Sequence, residues 1–183
     1  DIPDGFEGKI KTMTLREAIT YMQYTFFQDE DPAQLLKEGY ELLAYHYTHT
    51  IELRPHVRET LEFLKEERVP MAISTATDDH LAELALNHQK IMGYFSFLQT
   101  VKNTGHTKNE KEFWLEGARR IGMDPSELVV FEDALYAMVT AKEAGMTVIA
   151  IEDETAYMDR DKIREICDYY LESYQDFRLD MLQ

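Results

Sequence analysis

Two acidic residues stand side by side in LVVFED, Glu132 and Asp133, at the carboxyl end of an otherwise apolar run. At a buried strand end such carboxylates repel each other and need a compensating charge. A hard cation such as Mg2+ supplies one and prefers oxygen ligands. A helix N-cap in contact with the helix dipole accounts for one acid better than for two. Lys108, in GHTKNEKEF just before a helix, is a point charge able to balance a phosphoryl group together with the carboxylates. Thr75 follows VPMAIS, with Ala76 behind it. A hydroxyl at a strand end, beside backbone N–H groups that open a helix, is a candidate phosphate contact. Taken singly, each has a plain alternative: a capping threonine, a surface lysine, a capping acid.

Other candidates are weaker. Glu152 and Asp153 end TVIAIED much as the first pair ends LVVFED, but a solvated loop is expected there. His46 and His49 in HYTHT have a spacing that can bind metal, yet no third ligand stands at a matching distance, so they are read as structural or surface residues. His80 and His106 flank the strand-end loops. No G-x-S-x-G, Walker loop or Cys/His nucleophile arrangement is present.

The elements that must position these residues follow from periodicity. TLREAITYMQYTFF puts Leu15, Ala18, Ile19, Met22 and Phe26 at helical spacing behind Thr14 as N-cap. DPAQLLKEGYELLAYHY begins with Asp31 as cap and Pro32 at the first helical position. RPHVRETLEFLKEER stacks Val57, Leu61 and Leu64 on one face. From Val69 short apolar runs (VPMAIST, FLQTV, LVVFED, TVIAIED, YYLESY) alternate with helices closed by Gly122 and Gly145. That alternation predicts an α/β fold with a parallel, doubly wound sheet. The chain divides into a helical module over residues 1–52 and an α/β core over 53–183. In such sheets ligands sit beyond the carboxyl ends of the strands, where the candidates stand.

Composition narrows the classes. A formal charge of −16 repels phosphate backbones, so nucleic acid is not an expected partner, whereas a small phosphorylated metabolite remains compatible once a metal reverses the local field. There is no run of about 18 apolar residues, so no membrane partner is expected. The single cysteine, Cys167, excludes an internal disulfide framework and fits a reducing, cytoplasmic compartment.

Together these motifs resemble the haloacid dehalogenase superfamily, in the helical-cap branch of β-phosphoglucomutase-like enzymes and sugar-phosphate phosphatases. VPMAISTAT resembles its second motif, and TKNEKEFWLEGARRIGMDPSELVVFEDALYAMVTAKEAGM its third and fourth. The resemblance implies a Rossmann-like core with a small α-helical cap. It implies Thr75 and Lys108 as catalytic residues, and Glu132 and Asp133 as holders of a Mg2+ cofactor. Ala76, Lys11, Thr14 and Arg16 are the substrate-side candidates, the last three on the cap. Departures are Lys111-Glu112 where Pro-Asp is frequent, and Ala137 and His56 where glycine is frequent.

The family's nucleophile is the first aspartate of D-x-D-G-T. DIPDGF, residues 1–6, has one residue too many, and no apolar strand precedes Asp1. The extra residue would turn the second acid to the opposite face of an extended segment. DIPDGF is therefore read as a decoy at the entrance to the cap. The resemblance puts the nucleophile's strand in the middle of the sheet, between VPMAIST and LVVFED. Without it, each unpaired buried backbone group costs about 1–3 kcal/mol, against a total stability of roughly 5–15 kcal/mol. The expectation is a strand–turn–helix of roughly 30 residues supplied from outside residues 1–183, without which these residues are inactive. The functional expectation is phosphatase or phosphomutase action on a small phosphorylated metabolite through an aspartyl-phosphate. The alternatives are a non-catalytic binding module or inactive fragment of the same fold, and a dehalogenase, which the acidic metal site disfavours.

Overall fold

A computed structural model describes residues 5–10 and 13–182. Three helices come first: α1 (Phe6–Ile10), α2 (Leu15–Phe26) and α3 (Pro32–His49). Each longer helix starts at its expected cap. Thr14 accepts from the Glu17 N–H while the Glu17 carboxylate takes the Thr14 N–H, and Asp31 accepts from Ala33. Ala18 and Ile19 are buried between the helices. Gly39 allows the close approach, since a Cβ there would lie 2.4 Å from Ile19 Cδ1. Phe6 is buried against Tyr21 and Phe26, so the end of DIPDGF leads into this helical layer, while Asp1 and Asp4 lie outside the described residues.

The remaining elements alternate as the sequence implies: α4 (Val57–Glu66), β1 (Ile73–Thr75), α5 (Asp79–His88), β2 (Leu98–Thr100), α6 (Val101–Thr104), α7 (Lys111–Ile121), β3 (Val129–Glu132), α8 (Leu135–Glu143), β4 (Thr147–Ile151), α9 (Arg160–Ile166) and β5 (Tyr169–Leu171). All pairings are parallel. β4 is buried on both faces, which explains its unbroken apolar TVIAI. Val148 and Ala150 face a core built with Phe113, Trp114, Met138 and Ile163, and Ile149 and Ile151 face Leu171 and Met181.

The sheet is divided. β1 pairs with β2 and β3–β4–β5 form a second sheet, so neither β1 nor β3 has a strand on its other side among the described residues. Both line one cleft of about 630 Å³, whose walls include Leu61, Leu64, Ile73, Trp114, Val130 and Phe131. The break falls where the resemblance puts the central strand. VPMAIST yields three strand residues, Ile73–Thr75, paired with β2 on one edge.

His56 precedes α4 with φ 64, a left-handed conformation that costs an L-residue roughly 1–2 kcal/mol. The position where glycine is frequent in the family is thus one where glycine fits the backbone. His56→Gly is expected to raise stability by about 1 kcal/mol in urea unfolding, with the midpoint moving up and the slope unchanged.

The loop after α9 is fastened by Asp168. Its carboxylate takes two hydrogen bonds from Lys142 Nζ, at 2.7 and 2.8 Å, and one from the Val148 N–H at 2.7 Å. Burial alone would raise its pKa, but these donors outweigh it and hold the group below the ordinary carboxylate range. Its stabilisation is therefore present at neutral pH and lost as pH falls through the depressed value. Asp168→Ala should cost about 1–2 kcal/mol at neutral pH, and stability measured down the acid limb should fall less steeply in the variant.

Candidate active site

β3 ends at Glu132, and only Asp133 and Ala134 separate it from α8. The Glu132 side chain is 6% exposed and that of Lys108 13%, and Lys108 Nζ meets Glu132 Oε2 at 2.7 Å. Glu132 Oε1 accepts from the Ala134 N–H at 3.2 Å, at the start of α8. One acid is thus held by a largely buried lysine and a helix terminus, while no ion pair holds Asp133 among the described residues. Burial raises the Asp133 pKa, and the charges of Glu132 and Asp153 raise it further, against a smaller lowering by Arg54. Arg54 is itself paired with Asp153 and donates to Glu152 O at 2.8 Å. Two cations therefore face three carboxylates. The excess negative charge, carried on oxygen donors, suits a hard divalent cation. Among the described residues no group of three or more His, Cys, Asp or Glu gathers as a metal cage.

Lys108 sits in a turn closed by Glu110, whose carboxylate accepts from the N–H and hydroxyl of Thr107. Thr75 ends β1, and its Oγ1 accepts from the Thr77 N–H at 3.1 Å. No hydrogen bond or ion pair joins Thr75 to Lys108, Glu132 or Asp133 among the described residues. The two groups stand at opposite walls of the divided sheet, where Ser74 and Glu132 line the same cleft. Ala76 is exposed in the bend after Thr75. Thr14 is occupied in its capping box, its hydroxyl donating to Glu17 at 2.8 Å. Arg16 lies near enough to act electrostatically on Tyr40, whose hydroxyl donates to Asp78 at 3.2 Å. Lys11 lies outside the described residues.

Glu152 and Asp153 correct the solvated-loop expectation. Both are half-buried and engaged: Glu152 accepts from Tyr170 and Arg160, and Asp153 caps the following turn while pairing with Arg54. Their partners come from distant elements, which strand-end spacing alone does not reveal. His46 and His49 make local contacts, His46 Nδ1 with Thr50 Oγ1 and His49 with Tyr45. Sequence reasoning missed Arg54, Tyr136 and Tyr174. Burial is the main cause of the raised pKa of both tyrosines, and both also feel the charges of Glu132 and Asp133. The one signal for Arg54 was its place in the connection from the helical layer to the core.

The sequence model of the haloacid dehalogenase-like hydrolase family matches residues 8–151. The chain belongs to that family. Fructose-1-phosphate phosphatase YqaB of Escherichia coli K12 is 30% identical over 123 residues, covering 67% of this chain and 64% of that protein. A phosphorylated carbohydrates phosphatase of Thermotoga maritima is 30% identical over 100 residues, covering 55% and 46%. The matched stretch thus spans from about half to nearly two thirds of these relatives' own length. Among solved structures, β-phosphoglucomutase from Clostridium difficile superposes with a TM-score of 0.78 at 17% identity, over 100% of this chain and 81% of that one. CbbY from Rhodobacter sphaeroides, crystallised with xylulose-(1,5)bisphosphate, gives 0.81 at 18%, over 100% and 83%. These superpositions establish a haloacid dehalogenase-like fold, in agreement with the parallel strands and alternating helices. Among the described residues no helix is long and apolar enough to cross a membrane.

Proposed function

We propose that the protein is a Mg2+-dependent phosphatase or phosphomutase of a small phosphorylated metabolite, a sugar phosphate in kind, acting in the cytoplasm. The observation that carries this reading is the buried Lys108–Glu132 pair beside Asp133 at the carboxyl end of β3. A buried ion pair costs desolvation that apolar packing would avoid, and a phosphoryl site gives it a use. The curated relatives named for fructose 1-phosphate and phosphorylated carbohydrates support the substrate kind.

In this reading residues 1–52 form the cap and 53–183 the core. The nucleophilic aspartate lies outside residues 1–183, on a strand that fills the gap between β1 and β3. Its carboxylate attacks phosphorus as the P–O ester bond breaks, and the motif's second aspartate gives the leaving oxygen its proton. Water or an acceptor hydroxyl then takes the phosphoryl group from the aspartyl-phosphate. Thr75 already accepts from Thr77, so its own proton is free to go to a phosphoryl oxygen. Lys108 stabilises negative charge on the nucleophile and the transferring group. Glu132 and Asp133 would hold Mg2+, which would supply charge neutralisation for the phosphoryl transfer. The Ala76 backbone, with Lys11, Thr14 and Arg16 on the cap, contacts the rest of the substrate.

Acid-quenched full-length protein taken during turnover tests the mechanism. The expected result is a gain of one phosphoryl group on an aspartate of the gap-filling strand. Turnover with no phosphorylated protein at any quench time would overturn the covalent route.

A further inference from the structure

Lys108 is held at both ends, and one of those holds involves residues that the proposed chemistry does not use. Its ammonium lies 2.7 Å from Glu132 and 5.5 Å from the centre of the Trp114 ring. Its main-chain carbonyl accepts from the hydroxyl of Thr140 at 2.5 Å, across 32 residues of sequence. That same hydroxyl accepts from Trp114 Nε1 at 2.9 Å. A threonine inside a helix ordinarily gives its proton back to its own preceding turn. Here the carbonyl of Ala137 is 3.1 Å away, and the Lys108 carbonyl is the shorter contact. Trp114 is itself fixed, because α7 is fastened to β2 by Gln99 Nε2, which donates to the Phe113 carbonyl at 2.7 Å. Trp114 and Thr140 are 4% and 7% exposed, so neither N–H nor hydroxyl has ready recourse to water.

We propose that Thr140 and Trp114 are positioning residues for Lys108: the indole N–H orients the Thr140 hydroxyl, which holds the lysine's carbonyl while the indole face supports its ammonium. The functional weight of this device rests on the reading of Lys108 as the charge that faces the phosphoryl group. The physical case is that a lysine carries four side-chain torsions, and each one left loose spreads its charge over many positions. A carbonyl anchor on one side and a ring face on the other leave one compact arrangement, set before any substrate arrives. Losing the hydroxyl would leave a buried indole N–H and a carbonyl unpaired, a cost that local rearrangement around Lys108 would relieve.

The test reads Lys108 directly, through its rate of acetylation by an amine-reactive reagent, followed by peptide mass spectrometry on the full-length protein with Lys142 as internal reference. Thr140→Val removes the hydroxyl at nearly constant shape, and Lys108 should be acetylated about tenfold faster relative to Lys142. Thr140→Ser keeps the hydroxyl and should restore the slow rate. Should Thr140→Val fail to fold, Thr140→Ala removes the same hydroxyl from a helix that tolerates alanine well, and the same rise is expected. An unchanged Lys108 rate in a folded Val or Ala variant, or an equal rise in the Ser variant, would overturn the proposal. Phosphate-ester kinetics on the same variants separate the two readings. A fall in kcat with KM unchanged, reversed by Ser, supports both. Faster acetylation with unchanged kcat leaves the positioning in place and removes Lys108 from the chemistry.

Discussion

Asp133→Asn in the full-length protein should lower phosphate-ester turnover by roughly 10²–10³-fold while making the metal-free fold more stable. The two effects have one origin. Asp133 is half-buried, and its pKa is raised first by burial and then by the neighbouring Glu132 charge. A carboxyl whose folded-state pKa is raised leaves stability intact below the unfolded value and erodes it as pH rises through the folded one. Asparagine carries no such charge, so the variant should escape the erosion. The gain, about 1 kcal/mol at neutral pH, should vanish at acid pH, where the aspartate is protonated in both states. Urea unfolding of wild type and variant across that range, with a chelator present, measures it. A residue kept at a cost in stability fits a role in binding a cation. Equal stability at every pH, or near-normal turnover by the variant, would remove Asp133 from the site.

Lys108→Ala is expected to do greater damage, because it harms both fold and chemistry. It leaves Glu132 buried with its charge uncompensated, a loss of about 3–5 kcal/mol, and it removes the cation expected to face the phosphoryl group, worth about a thousandfold in rate. The pair can be taken apart by a double variant. Lys108→Met with Glu132→Gln removes both charges and should recover most of the stability, since an ion pair replaced as a unit by uncharged groups of similar size is often neutral. Turnover should not recover. Thermal unfolding and kcat measured on the single and double variants complete the cycle, and recovery of both properties would mean that Lys108 serves the fold alone.

Local signals in the sequence were enough for the frame of this molecule. Thr14, Asp31, Gly122 and Gly145 mark helix ends through their own backbone or side-chain chemistry, and each stands where a helix begins or stops. The acidic pair and Thr75 stood out as candidates because a parallel sheet displays the carboxyl ends of its strands, and those ends can be counted along the chain, whereas Lys108 was marked by its place just before a helix. The division of the sheet at β1 and β3 was legible only through resemblance, because a strand's partner leaves no local mark on its own residues. The same is true of long-range pairs. Arg54 reaches Asp153 across 99 residues, and Thr140 reaches Lys108 across 32, neither announced by periodicity. His56 was visible as a departure from the family pattern, and the backbone supplies its meaning. Strand ends were not legible either: VPMAIST is a seven-residue run in sequence, and its ladder with β2 covers Ile73–Thr75.

The most direct test of the central claim is phosphate release by the full-length protein from hexose and hexitol monophosphates with Mg2+ and with excess chelator. The account predicts multiple-turnover release from at least one of these esters, abolished by the chelator and restored by added Mg2+. Absence of release from every ester, by folded protein with the metal present, would contradict it and leave a binding module on the same fold.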